Sequence, residues 1–200
     1  MRAEPPILAG AVDPRIAAEL LGVGLSWCAF GVAGDVLRRS PPALRERLRA
    51  LSDRHRGAQA FALRGRAIPH AYRVLFRHLG LEPDEHRIPV EALMLERLTH
   101  GAYRSRGLLA DALTVATVET EVGVWALDAA RLGGAPRLAL EGGRVVVAGD
   151  AGTIVPLFSP PPPVAPATRR LALYAIGASG VPDIAVEEAL WTAWDVVDSA

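Results

Sequence analysis

The chain has 200 residues, half of them hydrophobic, which is enough for one domain with a self-sufficient core. Its 22 basic residues, all arginine, balance 22 acidic ones. That balance argues against a protein that grips a long duplex through a basic face and leaves room only for local nucleic-acid contact, at a strand end for instance.

The start, MRAEPPILAG, is broken by two prolines and does not read as a signal peptide. No apolar run is long enough to cross a bilayer, so no membrane association is expected. Residues 12–34 suggest an edge segment, a short helix at 16–21 and a strand at about 25–32. Cys28, the only cysteine, falls in the apolar run LSWCAF of that strand. It excludes an intramolecular disulfide and a thiolate metal cage and suits a reducing cytoplasm. A buried structural thiol is favoured there over a nucleophile.

Ser40 is expected to cap a helix whose first turn holds Pro41 and Pro42. Its apolar face is Leu44, Leu48 and Leu51, and Arg45, Arg47, Arg49, Arg54 and Arg56 crowd the rest. These arginines are either an RNA-binding stripe or a solvated face partly paired by Glu46 and Asp53, and the second reading is favoured. The short run at 58–63 reads as a strand leading into the central helices.

Residues 68–128 form the most regular part of the pattern. A helix over 70–79 places Tyr72, Leu75, Phe76 and Leu79 on one face, and Gly80 can take the left-handed conformation that closes it. Pro83 stops that helix from continuing. Arg87-Ile88-Pro89 starts another, with Glu91 in its first turn and Gly101 at its end. A third helix at 108–120 carries Asp111, Thr114 and Thr117 on one side. The threonines either present their hydroxyls to a site or return them to the preceding turn's carbonyls.

Beyond Asp128 the chain turns to strands. Segments 137–140 and 144–148 flank Glu141-Gly142-Gly143, a hairpin signal. A turn at 149–152 holds Asp150, read as a turn cap in preference to a site residue, and leads into a strand at 153–158. The proline-rich stretch 159–166 is an extended loop too short to separate two domains. Thr168 precedes a strand at 171–178. The last helix starts near Pro182 and places Val186, Leu190, Trp194 and Val197 on one side, with Trp191 offset and partly exposed.

Other chemistries have little support. The five histidines show no two-ligand spacing, and no P-loop lysine, full dinucleotide fingerprint or nucleophile elbow appears. No metal or cofactor is expected.

Tyr72-Arg73, Leu79-Gly80, Pro83, Arg87-Ile88-Pro89, Glu91-Ala92-Leu93, Arg97, Gly101, Ala110-Asp111 and Leu127-Asp128 together resemble free-standing proteins of the B3/4 domain family. These are similar to the editing module of the phenylalanyl-tRNA synthetase beta subunit. The resemblance spans about 12–197 and implies a single α+β domain over residues 1–200, with mixed, largely antiparallel sheets and packed helices. It also implies a cytoplasmic, tRNA-associated protein that binds the aminoacylated 3′ end and hydrolyses mischarged aminoacyl-tRNA in trans. A non-catalytic module for a free amino acid or similar small molecule is the alternative.

On this resemblance the pocket comprises Asp111, Thr114, Thr117, Trp125, Asp128, Asp150 and Thr168. Arg73, Arg87 and Arg97 are placed to reach the acceptor-end backbone, although internal pairing with Glu91 or Asp111 is favoured for each. Thr114, Thr117, Trp125 and the proline stretch depart from the family pattern. Thr114 and Thr117 stand where it has an asparagine and a serine, Trp125 stands where the synthetase module has a histidine, and prolines replace a tryptophan-arginine segment. An indole accepts no proton, so any surviving hydrolysis must rest on positioning water against an already activated ester.

Overall fold

The computed structural model describes residues 4–200, apart from the side chains of residues 59–61. The fold is α+β, built on two four-stranded, mostly antiparallel sheets. Residues 1–3, part of the proline-broken start, lie outside the described residues.

The first sheet contains β1 (Leu8–Ala9), β3 (Gly24–Gly31), β4 (Val124–Asp128) and β8 (Arg170–Gly177), in the order β1-β3-β8-β4. The second contains β2 (Ala11–Val12), β5 (Arg137–Glu141), β6 (Arg144–Gly149) and β7 (Gly152–Pro156), in the order β2-β5-β6-β7. One extended N-terminal segment edges both sheets. Its crossing point is Gly10, where a Cβ would lie 2.4 Å from the Leu25 side chain and 2.6 Å from the Pro136 carbonyl oxygen. Only a residue without a side chain fits. The β5–β6 hairpin turns through Gly142 and Gly143, both with positive φ, as a two-residue turn of that twist requires.

The helices are α1 (Pro14–Glu19), α2 (Pro42–Arg54), α3 (Gly57–Ala62), α4 (Ala67–His78), α5 (Pro89–His100), α6 (Leu108–Thr120) and α7 (Asp183–Asp198). Pro14, Pro42 and Pro89 each sit in a first turn, where a missing N–H costs nothing. Gly80 and Gly101 take the positive φ expected of them, 74° and 78°. Helix α7 lies along the first sheet and α6 packs on α7. Buried residues line α6 nearly all round, so it is a core helix rather than an amphipathic cover. Tyr72 of α4 reaches the first sheet and donates its hydroxyl hydrogen to the Ile176 carbonyl at 2.6 Å.

Two local expectations fail. Residues 58–63 are helical, in α3 and the short 3-10 turn Leu63–Gly65. Their run of Ala, Gln and Leu favours helix, and a short apolar segment has too little periodicity to declare itself. Ser40 does not cap α2. Pro41 is the capping residue, with no side-chain bond, and the Ser40 hydroxyl donates instead to Asp111, 71 residues away.

The other expected side chains are placed as follows. Cys28 is fully buried, and burial pushes its thiol up to about 12, so it stays protonated. Arg47 and Arg54 pair with Glu119 of α6, and Arg56 pairs with Asp53. Trp191 is partly exposed. Among the described residues, no helix is long and apolar enough to cross a membrane.

Candidate functional site

Helix α6 and strand β4, joined by a corner at residues 121–123, carry most of the expected site residues. The start of α6 is pinned by a separate loop. Leu108 N donates to the Arg38 carbonyl at 2.9 Å and Leu109 N to the Val36 carbonyl at 3.0 Å. Asp111, 1% exposed, completes this junction. Its Oδ2 accepts from the hydroxyls of Ser40 and Ser105, each at 2.5 Å, and its Oδ1 accepts from Arg106 N at 2.8 Å. A buried carboxylate with three donors is fully engaged, so this side chain ties two loops to a helix.

The threonines are also engaged. Thr114 donates its hydroxyl hydrogen to the Ala110 carbonyl at 2.8 Å, the return bond to the preceding turn. Thr117 Oγ1 accepts from Val124 N at 3.4 Å and so helps to aim β4.

Trp125 occupies a different setting. In the first sheet Trp27, Tyr174 and Trp125 stand opposite one another on neighbouring strands, so their side chains share one face. The Trp125 ring stacks on Tyr174 with centroids 5.5 Å apart and planes 14° apart. Phe158, just beyond β7, lies across it at 5.8 Å and also meets Phe76 at 4.5 Å and Tyr72 at 6.2 Å. Phe158 has φ 61°, a left-handed conformation that costs a bulky residue strain. Tyr174 is buried, whereas Trp125 and Phe158 are only partly so. The result is an aromatic group with one stacked, half-open ring.

At the other end of β4, Asp128 Oδ2 accepts from the Thr168 hydroxyl at 2.6 Å and Oδ1 accepts from Ala130 N at 3.0 Å. The Thr168 hydroxyl, then the Ala130 N–H, hold this carboxyl below its ordinary range. Asp150 is exposed in the turn between β6 and β7, and its N–H donates to the Leu132 carbonyl at 2.8 Å. Its carboxylate lies over Gly134, where a Cβ would come within 2.5 Å of Oδ2.

Asp128 and Thr168 are therefore in direct contact, and Asp150 closes on the loop that follows Asp128. No hydrogen bond or ion pair among the described residues joins Asp111 or Thr114 to Trp125, Asp128 or Asp150.

The three arginines named for RNA are engaged within the chain. Arg73 Nη1 is 3.0 Å from both oxygens of Glu91, and its Nη2 is 3.1 Å from Asp84. Arg87 pairs with Asp84 at 3.2 Å, and Arg97 donates twice to the Ser52 carbonyl. Arg73 is buried with Glu91, so this pair fastens α4 to α5.

Two clefts open elsewhere. One of about 480 Å³ lies between the end of β3, Arg38, Leu108 and the end of α7. One of about 160 Å³ lies beside Arg64, Arg87, Met94 and Leu98. Neither is lined by Thr114, Thr117 or Trp125. Among the described residues, no group of three or more His, Cys, Asp or Glu side chains is arranged to hold a metal ion.

Sequence reasoning missed Phe158, Tyr174, Ser105 and the Glu121–Arg66 contact, in which Arg66 Nη1 lies 2.5 Å from Glu121 Oε1. Tyr174 was recoverable in principle, as the one aromatic within an otherwise aliphatic strand. The others depend on tertiary contact alone. No protein-family model matches the chain, and no curated protein matches it.

Proposed function

We propose that the chain is a single B3/4-like module of a reducing, cytoplasmic compartment that binds the aminoacylated 3′ end of tRNA. On this reading the amino-acid side chain seats against the half-open Trp125 ring, backed by Tyr174 and flanked by Phe158. The observation that carries it is this aromatic group at the end of the 68–128 segment, the stretch on which the family resemblance rests. Stacked rings give an apolar or planar group a large contact at low entropic cost. Asp128 falls on the opposite face of β4 from Trp125, so with Thr168 and the Asp150 turn it fixes the end of the strand that carries the ring. Arg73, Arg87 and Arg97 act through the scaffold, since each is committed to an internal acceptor.

Hydrolysis of a mischarged ester in trans then comes from orienting water, because an aminoacyl ester is already activated and Trp125 is no base. A second reading, a binding module for a free amino acid, is favoured by one specific feature. The polar groups of Asp111, Thr114 and Thr117 are consumed by internal hydrogen bonds.

Purified protein is tested against a panel of mischarged aminoacyl-tRNAs and, in parallel, for thermal shift with each free amino acid. Faster deacylation than in buffer, lost in Trp125→Ala, supports the editing reading. A thermal shift without deacylation, again lost in Trp125→Ala, supports the binding reading. No response in either assay removes both.

A further inference from the structure

Glu121 is the odd residue of the corner between α6 and β4. It ends α6 with φ 66°, a place where glycine is the usual occupant, and its N–H closes on the Thr117 carbonyl at 2.9 Å. It is also only 5% exposed, although it carries a carboxylate. A strained backbone and a buried acid at one position are two costs that a glycine would avoid together.

The charge that faces this acid belongs to another element. Arg66, the residue that precedes α4, sets Nη1 2.5 Å from Oε1 while its own side chain stays 61% exposed. Around the same corner α6 contributes the Thr117 and Thr120 hydroxyls, which accept from Val124 N and Val122 N, and the start of α5 contributes Pro89. None of these is charged.

The corner is mechanically close to Trp125. A Cβ on Gly123 would lie 2.6 Å from Pro89 Cγ and 2.9 Å from Trp125 Cη2, so the indole edge rests on this backbone. Helix α4 reaches the same ring indirectly, since Phe76 meets Phe158 and Phe158 meets Trp125.

We propose that the Glu121–Arg66 contact is a clasp between the start of α4 and the α6–β4 corner, and that Glu121 is a positioning residue for Trp125 and its aromatic neighbours. Its importance for ligand rests on the reading of Trp125 as the seat; the clasp itself does not. Burial pushes the Glu121 carboxyl up, and the Arg66 charge opposes that rise. Removal of the arginine therefore carries the acid's titration to higher pH.

The test reads the near-UV circular dichroism band of Trp125, assigned by difference from Trp125→Phe, against pH and without ligand. Wild type shows a change of this band on acidification, Arg66→Gln moves the change to higher pH, and Arg66→Lys returns it. Glu121→Gln abolishes the titration. Glu121→Gly, which relieves the left-handed strain and so keeps the fold, also lacks it. A Trp125 band that is flat with pH, or unaltered in Arg66→Gln and Glu121→Gln, overturns the clasp. An intact clasp titration with no amino-acid or aminoacyl-tRNA response overturns the seat and leaves the clasp standing.

Discussion

Asp111 shows how a residue with a site-like signature can be wholly structural. Its carboxylate satisfies two serine hydroxyls and one backbone N–H in a buried junction, so truncation leaves three donors without an acceptor. Asp111→Ala is expected to lower the unfolding free energy by about 3 kcal/mol, and Asp111→Asn by less, since an amide oxygen still accepts. Urea titration measures this, and a loss below about 1 kcal/mol would mean that water reaches the serines. Asp128 makes a pH-dependent counterpart. Its folded value lies below the ordinary value near 3.8 because of the Thr168 hydroxyl and the Ala130 N–H. The charged form is therefore favoured by folding. That contribution is complete above the unfolded value and is lost as pH falls through the lower folded one. Thr168→Val is expected to destabilise at neutral pH, with the difference from wild type shrinking below about pH 4. A difference that stays constant down to acid would assign the loss to packing instead.

At the scale of elements, the junction of α5, β4 and the corner between α6 and β4 is the tightest point near the aromatic group. Gly123→Ala must displace Pro89 or the Trp125 ring, because both lie within 3 Å of the added methyl. The expected cost is about 1–3 kcal/mol, together with a changed Trp125 near-UV signal. An unchanged signal with lost stability would show that Pro89 had moved instead. The same elements mark what the sequence could reveal. Helices α4 and α5 were legible because an apolar period or a proline start agreed with a glycine stop, Gly80 for the first and Gly101 for the second. The hairpin at Gly142-Gly143 was legible for the same reason at shorter range. Helix α3 was not, because its six residues, Gly57–Ala62, are too few to carry a decisive period. The candidate site was least legible of all. Ser40 finds Asp111 across 71 positions, Thr168 finds Asp128 across 40, and Tyr72 finds Ile176 across 104. Nothing local in a chain encodes such pairings; only packing of the finished sheets selects them. Phe158 meets Trp125 for that reason as well.

For the molecule as a whole, charge sets the sharpest limit on how it can meet RNA. Arginine and acid are balanced, and several arginines on and beside α2 and α4 (Arg47, Arg54, Arg56, Arg66 and Arg73) are held by Glu119, Asp53, Glu121, Asp84 and Glu91. A surface with no net basic excess releases few counterions when it binds a polyanion, so affinity must come from the end of the strand and its ester rather than from the helical stem. If about two phosphates are neutralised at a single-stranded 3′ end, the logarithmic salt slope is about −1.4. Aminoacyl-tRNA binding should then weaken by about sevenfold between 50 and 200 mM salt, against roughly a thousandfold or more for a protein that tracks the duplex. A filter-binding or anisotropy titration across that range measures the slope directly. A slope near −5 or steeper would mean that the stem is gripped along its length, which would require the ion pairs on α2 and α4 to open. Removing one partner separates those cases: Glu119→Gln frees Arg47 and Arg54, and it steepens the slope only where those arginines face the RNA.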